Sequence, residues 1–336
     1  MGLRIKKVPF ILLIVLIIVS FIGICYNILL YINREKVSEE EVLITIPVGA
    51  TTQEVGLLLG ESEIISSSSG FVLCAKVMGK EKKIKAGRYV LKKGMGIKEV
   101  LNILIKGETK KLTVTVPEGL TIDEIAIIVA KQVKIDKEQF IKLAKDKKYT
   151  ASKGITGKNL EGFLYPDTYE FNYDVTEKEI IERFVGQFWT VFNDSLKERS
   201  EEIGFSVQEV VILASMIEEE AMLDSEKAII SQVYHKRLKL DRALECDATI
   251  QYALPSHKSR LLYKDLKIKS PYNTYLHKGL PPGPISNPGE SAIIAALYPR
   301  DTNYLYYVAK GDGTHIFSRT AKEHMRAIAR LHSGNK

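Results

Sequence analysis

The chain's 336 residues suffice for one large domain or two ordinary ones, and 45% hydrophobic with 26% charged residues is the balance of a globular protein, not a disordered one. Lysine and arginine (48) outnumber aspartate and glutamate (41), a formal charge of +7 that suits an anionic surface or an acidic polymer. No Arg-rich or aromatic-interleaved stripe points to nucleic acid, no HExxH or close His/Cys pair points to a metal, and no GxGxxG or P-loop points to a cofactor.

Residues 1–7 hold Arg4, Lys6 and Lys7, and residues 8–32 carry no charge, which predicts a transmembrane helix. Glu35, Glu39, Glu40 and Glu41 follow it, so the positive-inside rule places the N-terminus in the cytoplasm and everything beyond residue 33 outside the cell membrane. The alternative, a cleaved signal peptide, fits less well because the apolar stretch is long and no small-x-small site follows. Cys25 falls inside this stretch, and the pairing of the other two cysteines, Cys74 and Cys246, stays open.

After a linker at 33–41, residues 42–59 (VLITIPVGATTQEVGLLL) align without a gap on 112–129 (LTVTVPEGLTIDEIAIIV). Each copy reads as a strand, a Pro-x-Gly turn and a Thr-capped helix, with a weaker echo at Ala86–Gly107. With a second short helix at Phe71–Met78, residues 42–110 predict an α+β module of strand, two helices and returning strand. That pattern resembles a LysM glycan-binding module; a plain spacer is the alternative. Residues 134–160 read as a solvated helix face and loop. The remainder of 111–333 predicts a mainly helical α+β domain, with helices at Ile180–Ser200, Ser206–Leu223, Ser225–Leu238 and Glu290–Leu297, then strands at Tyr304–Ala309 and Ile316–Ser318.

Within VQEVVILASMIEEEAML (207–223), helical spacing puts Val210, Val211, Ala214, Ile217, Glu218, Ala221 and Met222 on one arc and Gln208, Ser215, Glu219 and Glu226 on another. Glu218 is thus a carboxylate on an apolar face, where desolvation favours the protonated form that a general acid needs; a satisfied buried carboxylate is the competing reading. Glu219 reads as solvated, and Glu220 as an ion-pair partner or a second active-site group.

Four ordered blocks carry a family resemblance: LEGFLYPDTYEF (160–171), SMIEEEA (215–221), VYHKRLKLDRALECDATIQYAL (233–254) and SPYNTYLHKGLPPGPISNPG (270–289). Together they resemble the endolytic murein transglycosylase (MltG, YceG-like) family over the chain from the anchor to residue 330. Where that family usually has a basic residue between two glutamates, this chain has Glu219. The resemblance implies a membrane-anchored lytic transglycosylase, with Glu218 the catalytic acid that cleaves the β-1,4 bond between N-acetylmuramic acid and N-acetylglucosamine and closes a 1,6-anhydro ring. It implies peptidoglycan glycan strands as substrate and cell-wall synthases (penicillin-binding proteins) as partners, with glycan strand termination as a role. Tyr165, Tyr169, Tyr252, Tyr272 and Tyr275 offer rings for pyranose faces, and Asp247, Thr249, Gln251, Asn273 and Thr274 offer hydrogen-bonding groups. The Leu280–Pro284 run reads equally as a rigid groove wall or a tight surface turn. A lysozyme-like hydrolase using Asp247 or Glu220 as its second carboxylate, and a non-catalytic peptidoglycan-binding scaffold, are the alternatives.

Overall fold

The computed structural model describes residues 14–20, 23, 37–172 and 175–334, and most of the span expected at 8–32 lies outside them, as do residues 1–7 and 33–36. Residues 14–20 are helical, and among the described residues no helix is long and apolar enough to cross a membrane. The chain divides into two compact units, Met1–Leu112 with Asn172–Asp174, and Thr113–Phe171 with Val175–Lys336.

In the first unit, β1 (Glu41–Ile46) lies antiparallel to β2 (Gly87–Lys92), in a register that runs from Glu41 opposite Lys92 to Ile46 opposite Gly87. Alternation sends Ile44, Ile46, Tyr89 and Leu91 into the core. Between the strands run α1 (Thr52–Glu61) and α2 (Ser68–Val77), followed by a 3-10 turn at Glu81–Lys83. Thr51 and Glu54 close a capping box on α1, and Ser67 Oγ accepts from Gly70 N (3.0 Å) to start α2. The helices approach closely at Gly60, where a side chain would collide with Ser68 Oγ. After β2, α3 (Ile97–Lys106) buries Ile97, Val100, Leu101 and Leu104, one face at helical spacing.

The second unit is mainly helical. Strand β3 (Lys111–Thr115), which continues into it, pairs with β4 (Thr168–Asn172), and a hairpin of β5 (Tyr306–Ala309) and β6 (His315–Ser318) lies near the C-terminus. Its helices are α4 (Ile122–Gln132), α5 (Lys137–Ala144), α6 (Lys147–Ser152), α7 (Glu177–Val191), α8 (Asp194–Glu202), α9 (Val207–Glu220), α10 (Asp224–Lys239), α11 (Asp247–Ala253), α12 (Glu290–Leu297) and α13 (Ala321–Gly334). The single helix expected at Ile180–Ser200 is two helices, because Asn193 caps a new start by accepting from Leu196 N (3.2 Å).

Helix α9 packs against α8, α10, α11 and α12. Every residue from Val210 to Ile217 is buried, including Ser215, which the two-arc reading placed on a polar side. The arc reading is therefore corrected: enclosure by four neighbours leaves the body of α9 no solvated face. The helix also ends at Glu220, since Ala221 turns extended, so Met222 leaves the helical arc and becomes 82% exposed.

Candidate active site

Helix α9 ends on three consecutive carboxylates, and the chain around them sends each in a different direction. Glu218 Oε1 accepts from Lys227 Nζ (2.9 Å) of α10, and its Oε2 accepts from the backbone N–H of Gly289 (3.0 Å), the residue that caps α12. The pair is enclosed, with side-chain exposure of 9% for Glu218 and 4% for Lys227. Lys227 also donates to Ser291 Oγ (2.7 Å) and pairs with Asp224 (3.0 Å). Burial works against its charge, but hydrogen bonds and the charges of Glu218 and Asp224 outweigh that and hold the ammonium above the usual lysine range. The apolar surround expected for Glu218 is thus corrected to a polar one: the break after Glu220 lets α10 return a lysine to it.

A third element reaches the same place. In the Pro117-Glu118-Gly119 turn, Gly119 adopts φ +78°, its N–H donates to Asn287 O (2.9 Å), and a Cβ on it would come within 3.1 Å of Glu219 Oε1. The Glu118 carboxylate occupies the space that a side chain at Gly289 would need. Burial first, then the Glu218 charge, push the Glu118 carboxyl up, with Lys227 opposing.

Glu219 is exposed, as the sequence suggests, yet it is not simply solvated. Solvent reaches the side chain, but the protein crowded around it removes enough water to push its carboxyl up to about 7, against a Ser286 hydrogen bond and helped by the Glu218 charge. Glu118, Glu218 and Glu219 therefore meet around Gly119 and Gly289, with Lys227 paired to Glu218. Among the described residues, no group of three His, Cys, Asp or Glu side chains is arranged to hold a metal ion.

Glu220, expected as an ion-pair partner or a second active-site group, makes no ion pair among the described residues. Its Oε1 accepts from Cys246 Sγ (3.2 Å) and Ala248 N (3.4 Å), and its Oε2 from Tyr307 OH (3.1 Å), which also contacts Tyr234 OH (2.7 Å). Burial pushes this carboxyl up. Cys74 and Cys246 are both free thiols.

Most residues of the expected sugar-binding set hold loops. Thr249 donates to Cys246 O (2.7 Å) and Thr274 Oγ accepts from Cys246 N (3.0 Å); Asn273 Nδ2 donates to Leu266 O and Ile268 O (3.0 and 2.9 Å); Gln251 clamps Lys258 through both amide atoms. Tyr165 and Tyr169 are buried, the Tyr169 hydroxyl donating to Tyr165 O (2.6 Å). Surface remains on Asp247, which accepts from Tyr275 OH (2.5 Å), on Tyr275, and on the Tyr252–Tyr272 pair with rings 4.9 Å apart. Pro281 and Pro284 are buried while Pro282 is exposed, and Pro284 lies where a side chain at Gly162 (φ +86°) would be, so the run packs one side against the fold.

Several residues of this region escaped the sequence reading: Glu118, Lys227, Ser286, Asn287, Gly289, Ser291 and above all Glu161. Glu161 is 2% exposed; Oε1 accepts from Ile122 N (2.9 Å) and Asn287 Nδ2 (3.0 Å), and Oε2 from Tyr252 OH (3.3 Å). Burial pushes its carboxyl up to about 8 against those hydrogen bonds. Asn287 also bonds Leu120 O (2.8 Å) and Leu164 N (2.8 Å), while Ile285 N donates to Ser215 Oγ (3.0 Å). This stitching carries Gly289 to Glu218. One signal was available: the two repeat copies differ at the middle of the turn, Val48 in Pro-Val-Gly against Glu118 in Pro-Glu-Gly.

Comparison with known proteins places this architecture. The endolytic murein transglycosylase of Bacillus subtilis (strain 168) is 37% identical over 309 residues, covering 87% of this chain and 85% of that protein. That of Streptococcus pneumoniae (strain ATCC BAA-255 / R6) is 28% identical over 327 residues, covering 87% of this chain and 58% of the longer relative. A yceG-like protein from Listeria monocytogenes, known from a 2.6 Å crystal structure, matches with a TM-score of 0.61 at 34% identity, covering 86% of this chain and 99% of that one. The YceG-like family model matches residues 44–330, a stretch that includes the three-glutamate end of α9 and every segment that meets it, and the chain belongs to that family.

Proposed function

We propose that the chain is a lytic transglycosylase that cleaves the β-1,4 bond between N-acetylmuramic acid and N-acetylglucosamine in peptidoglycan. The observation that carries the reading is Glu218, fixed at both oxygens by Lys227 and Gly289 N–H, with Glu118 and Glu219 beside it. The relatives named endolytic murein transglycosylase support the same chemistry. A saccharide settling over three carboxyls and one ammonium removes water from them, which favours uptake of a proton by the cluster. Glu218 then gives a proton to the glycosidic oxygen as the C1–O bond breaks. As a carboxylate it takes the proton from the muramyl C6 hydroxyl, whose oxygen attacks C1 and closes the 1,6-anhydro ring without consuming water. Lys227 and the Gly289 N–H hold the carboxylate in place through both steps.

Hydrolysis remains as a second reading because Glu219 lies beside Glu218 with its carboxyl near 7, a group able to act as a base on water. Mass spectrometry of products from purified glycan strands separates the two, since anhydro and reducing ends differ by the mass of water. Reducing ends alone overturn the transglycosylase assignment; intact strands favour the scaffold.

The charge-free stretch 8–32 and its flanking charges support a membrane anchor with the remainder outside the cell, and an extracytoplasmic reporter fused after Lys336 tests that topology. The β1–α1–α2–β2 order supports a LysM-like module. Wall synthases as partners rest on the resemblance alone.

A further inference from the structure

In the second unit, the stretch from Leu254 to Lys269 that follows α11 has no part in the proposed chemistry, yet it is strongly charged and tightly held. It carries Lys258, Arg260, Lys264, Lys267 and Lys269 against a single acid, Asp265. That acid faces inward. Asp265 is 6% exposed and accepts from Lys258 Nζ (2.7 Å) and Leu262 N (2.9 Å), so it neutralises one lysine and staples the loop. Gln251 Nε2 donates to Lys258 O (2.7 Å) and its Oε1 accepts from Lys258 N (3.0 Å), while Asn273 Nδ2 holds Leu266 O and Ile268 O at the far end. Arg260, Lys264, Lys267 and Lys269 are left exposed, and none of them enters an ion pair among the described residues.

Like charges held together repel, and an anionic partner would relieve that repulsion. On the same loop Tyr263 is 89% exposed and Leu262 49%, an apolar surface with a phenol at its tip that suits a peptide better than a simple ion. Position decides which anion. Beside Gln251 stands Tyr252, whose ring pairs with Tyr272 and whose hydroxyl donates to Glu161 Oε2 (3.3 Å). Glu161 Oε1 accepts from Asn287 Nδ2 (3.0 Å), and Asn287 is two residues, at most about 7 Å of chain, from the Gly289 N–H that meets Glu218. The Tyr252 hydroxyl is therefore within roughly 20 Å of Glu218, and the loop is clamped to the residue next to it. A glycan laid along this path would carry its muramyl lactyl arms, and the peptide stems built on them, towards the loop. Those stems bear free carboxylates that extend well beyond the sugar ring.

We propose that Arg260, Lys264, Lys267 and Lys269 hold the carboxylates of the peptide stems, with Tyr263 packed against the stem, so that the loop selects glycan whose stem acids are free. The proposal takes its substrate from the transglycosylase reading of Glu218 and adds a peptide-recognising surface to a glycan site.

The test uses the full chain in neutral detergent and a disaccharide peptide, N-acetylglucosaminyl-N-acetylmuramyl-stem, with its stem carboxylates free or converted to amides. This probe holds no bond from N-acetylmuramic acid to N-acetylglucosamine, so binding is read without cleavage. Calorimetric titration should show the free-acid form bound about tenfold more tightly, with the preference shrinking as salt is raised. Arg260→Gln with Lys264→Gln should erase most of that preference and leave affinity for the amidated form unchanged. On uncrosslinked strands with free stems the same variant should raise KM about tenfold at similar kcat, a split that damage to the Glu218 cluster would not give. Equal affinity for the two forms, or a preference that survives in the variant, overturns the proposal whatever happens at the glycan bond. A preference lost in the variant, in a parent that leaves every strand intact, keeps the loop and overturns the transglycosylase reading. Equally tight binding of a polyglycerol phosphate assigns the loop to anions at large and overturns selection of stems.

Discussion

Replacing Glu218 by glutamine should remove activity and also destabilise the fold, and the second effect is the one that the structure adds. An apolar-face carboxylate would be easier to bury as an amide, so from the sequence stability should hold or rise. The structure reverses the sign. Glu218 accepts from two donors, Lys227 Nζ and Gly289 N–H, and a glutamine can present its oxygen to only one of them while its NH₂ faces the other. The buried ammonium keeps Asp224 and Ser291 but loses its most enclosed counter-charge. Breaking such a pair costs up to about 3–5 kcal/mol; with two partners remaining for Lys227, about 1–3 kcal/mol is the expected loss, or roughly 5 °C in melting temperature for a unit of this size. Because the Lys227 pKa is raised, its contribution is complete below the ordinary lysine pKa and fades only as pH climbs through the higher folded value, so the Tm difference between Glu218→Gln and the parent should be flat from pH 6 to 9. Calorimetry across that range, with glycan cleavage assayed alongside, checks both claims. Cleavage should fall by about 10² to 10⁴. A Glu218→Gln protein as stable as the parent would refute the role given to the Lys227 pair, and one that still cleaves while Glu219→Gln does not would show that the wrong carboxylate carries the chemistry.

Glu161→Gln should keep the fold and flatten a pH dependence: with the native carboxyl near 8, the folded state holds a proton that the unfolded chain has released, so parental stability falls as pH rises from about 4.5 to 8, by up to about 1.4 kcal/mol per unit, and denaturant midpoints for the variant should not. Glu220→Ala should lower stability by about 3 kcal/mol, because the Ala248 N–H, the Cys246 thiol and the Tyr307 hydroxyl lose their acceptor in an enclosed space; urea titration showing less than about 1 kcal/mol would mean that water replaces it. Glu118→Val copies the first repeat's turn into the second. Gly119 still supplies its positive φ, so melting temperature should hold or rise, while turnover should drop at least about tenfold if Glu118 helps the cluster take up its proton; unchanged turnover would remove it from the mechanism.

What the sequence shows is what neighbours along the chain decide. The Thr51/Glu54 and Thr121/Glu124 boxes start their helices where a threonine three residues before a glutamate says they should, and the alternation of β1 is visible as written. The site depends on contacts at long separation. Asn287 meets Leu120 across 167 positions and Glu161 across 126, so no window of sequence displays the stitching that brings Gly289 to Glu218. Helix periodicity misleads at α9 for the same reason: an amphipathic reading presumes one solvated side, and four packed neighbours leave none between Val210 and Ile217. The two repeat copies show where local rules stop. Both fold into a Pro-x-Gly turn ahead of a capped helix, because those residues set the backbone whatever stands between them, and the middle side chain is then free to answer to its surroundings. In one copy that residue is a valine open to solvent, and in the other a glutamate pressed against a glycine and pushed upward in pKa by a second carboxylate. The turn is a property of the motif; the chemistry at its tip is a property of what the rest of the fold places against it.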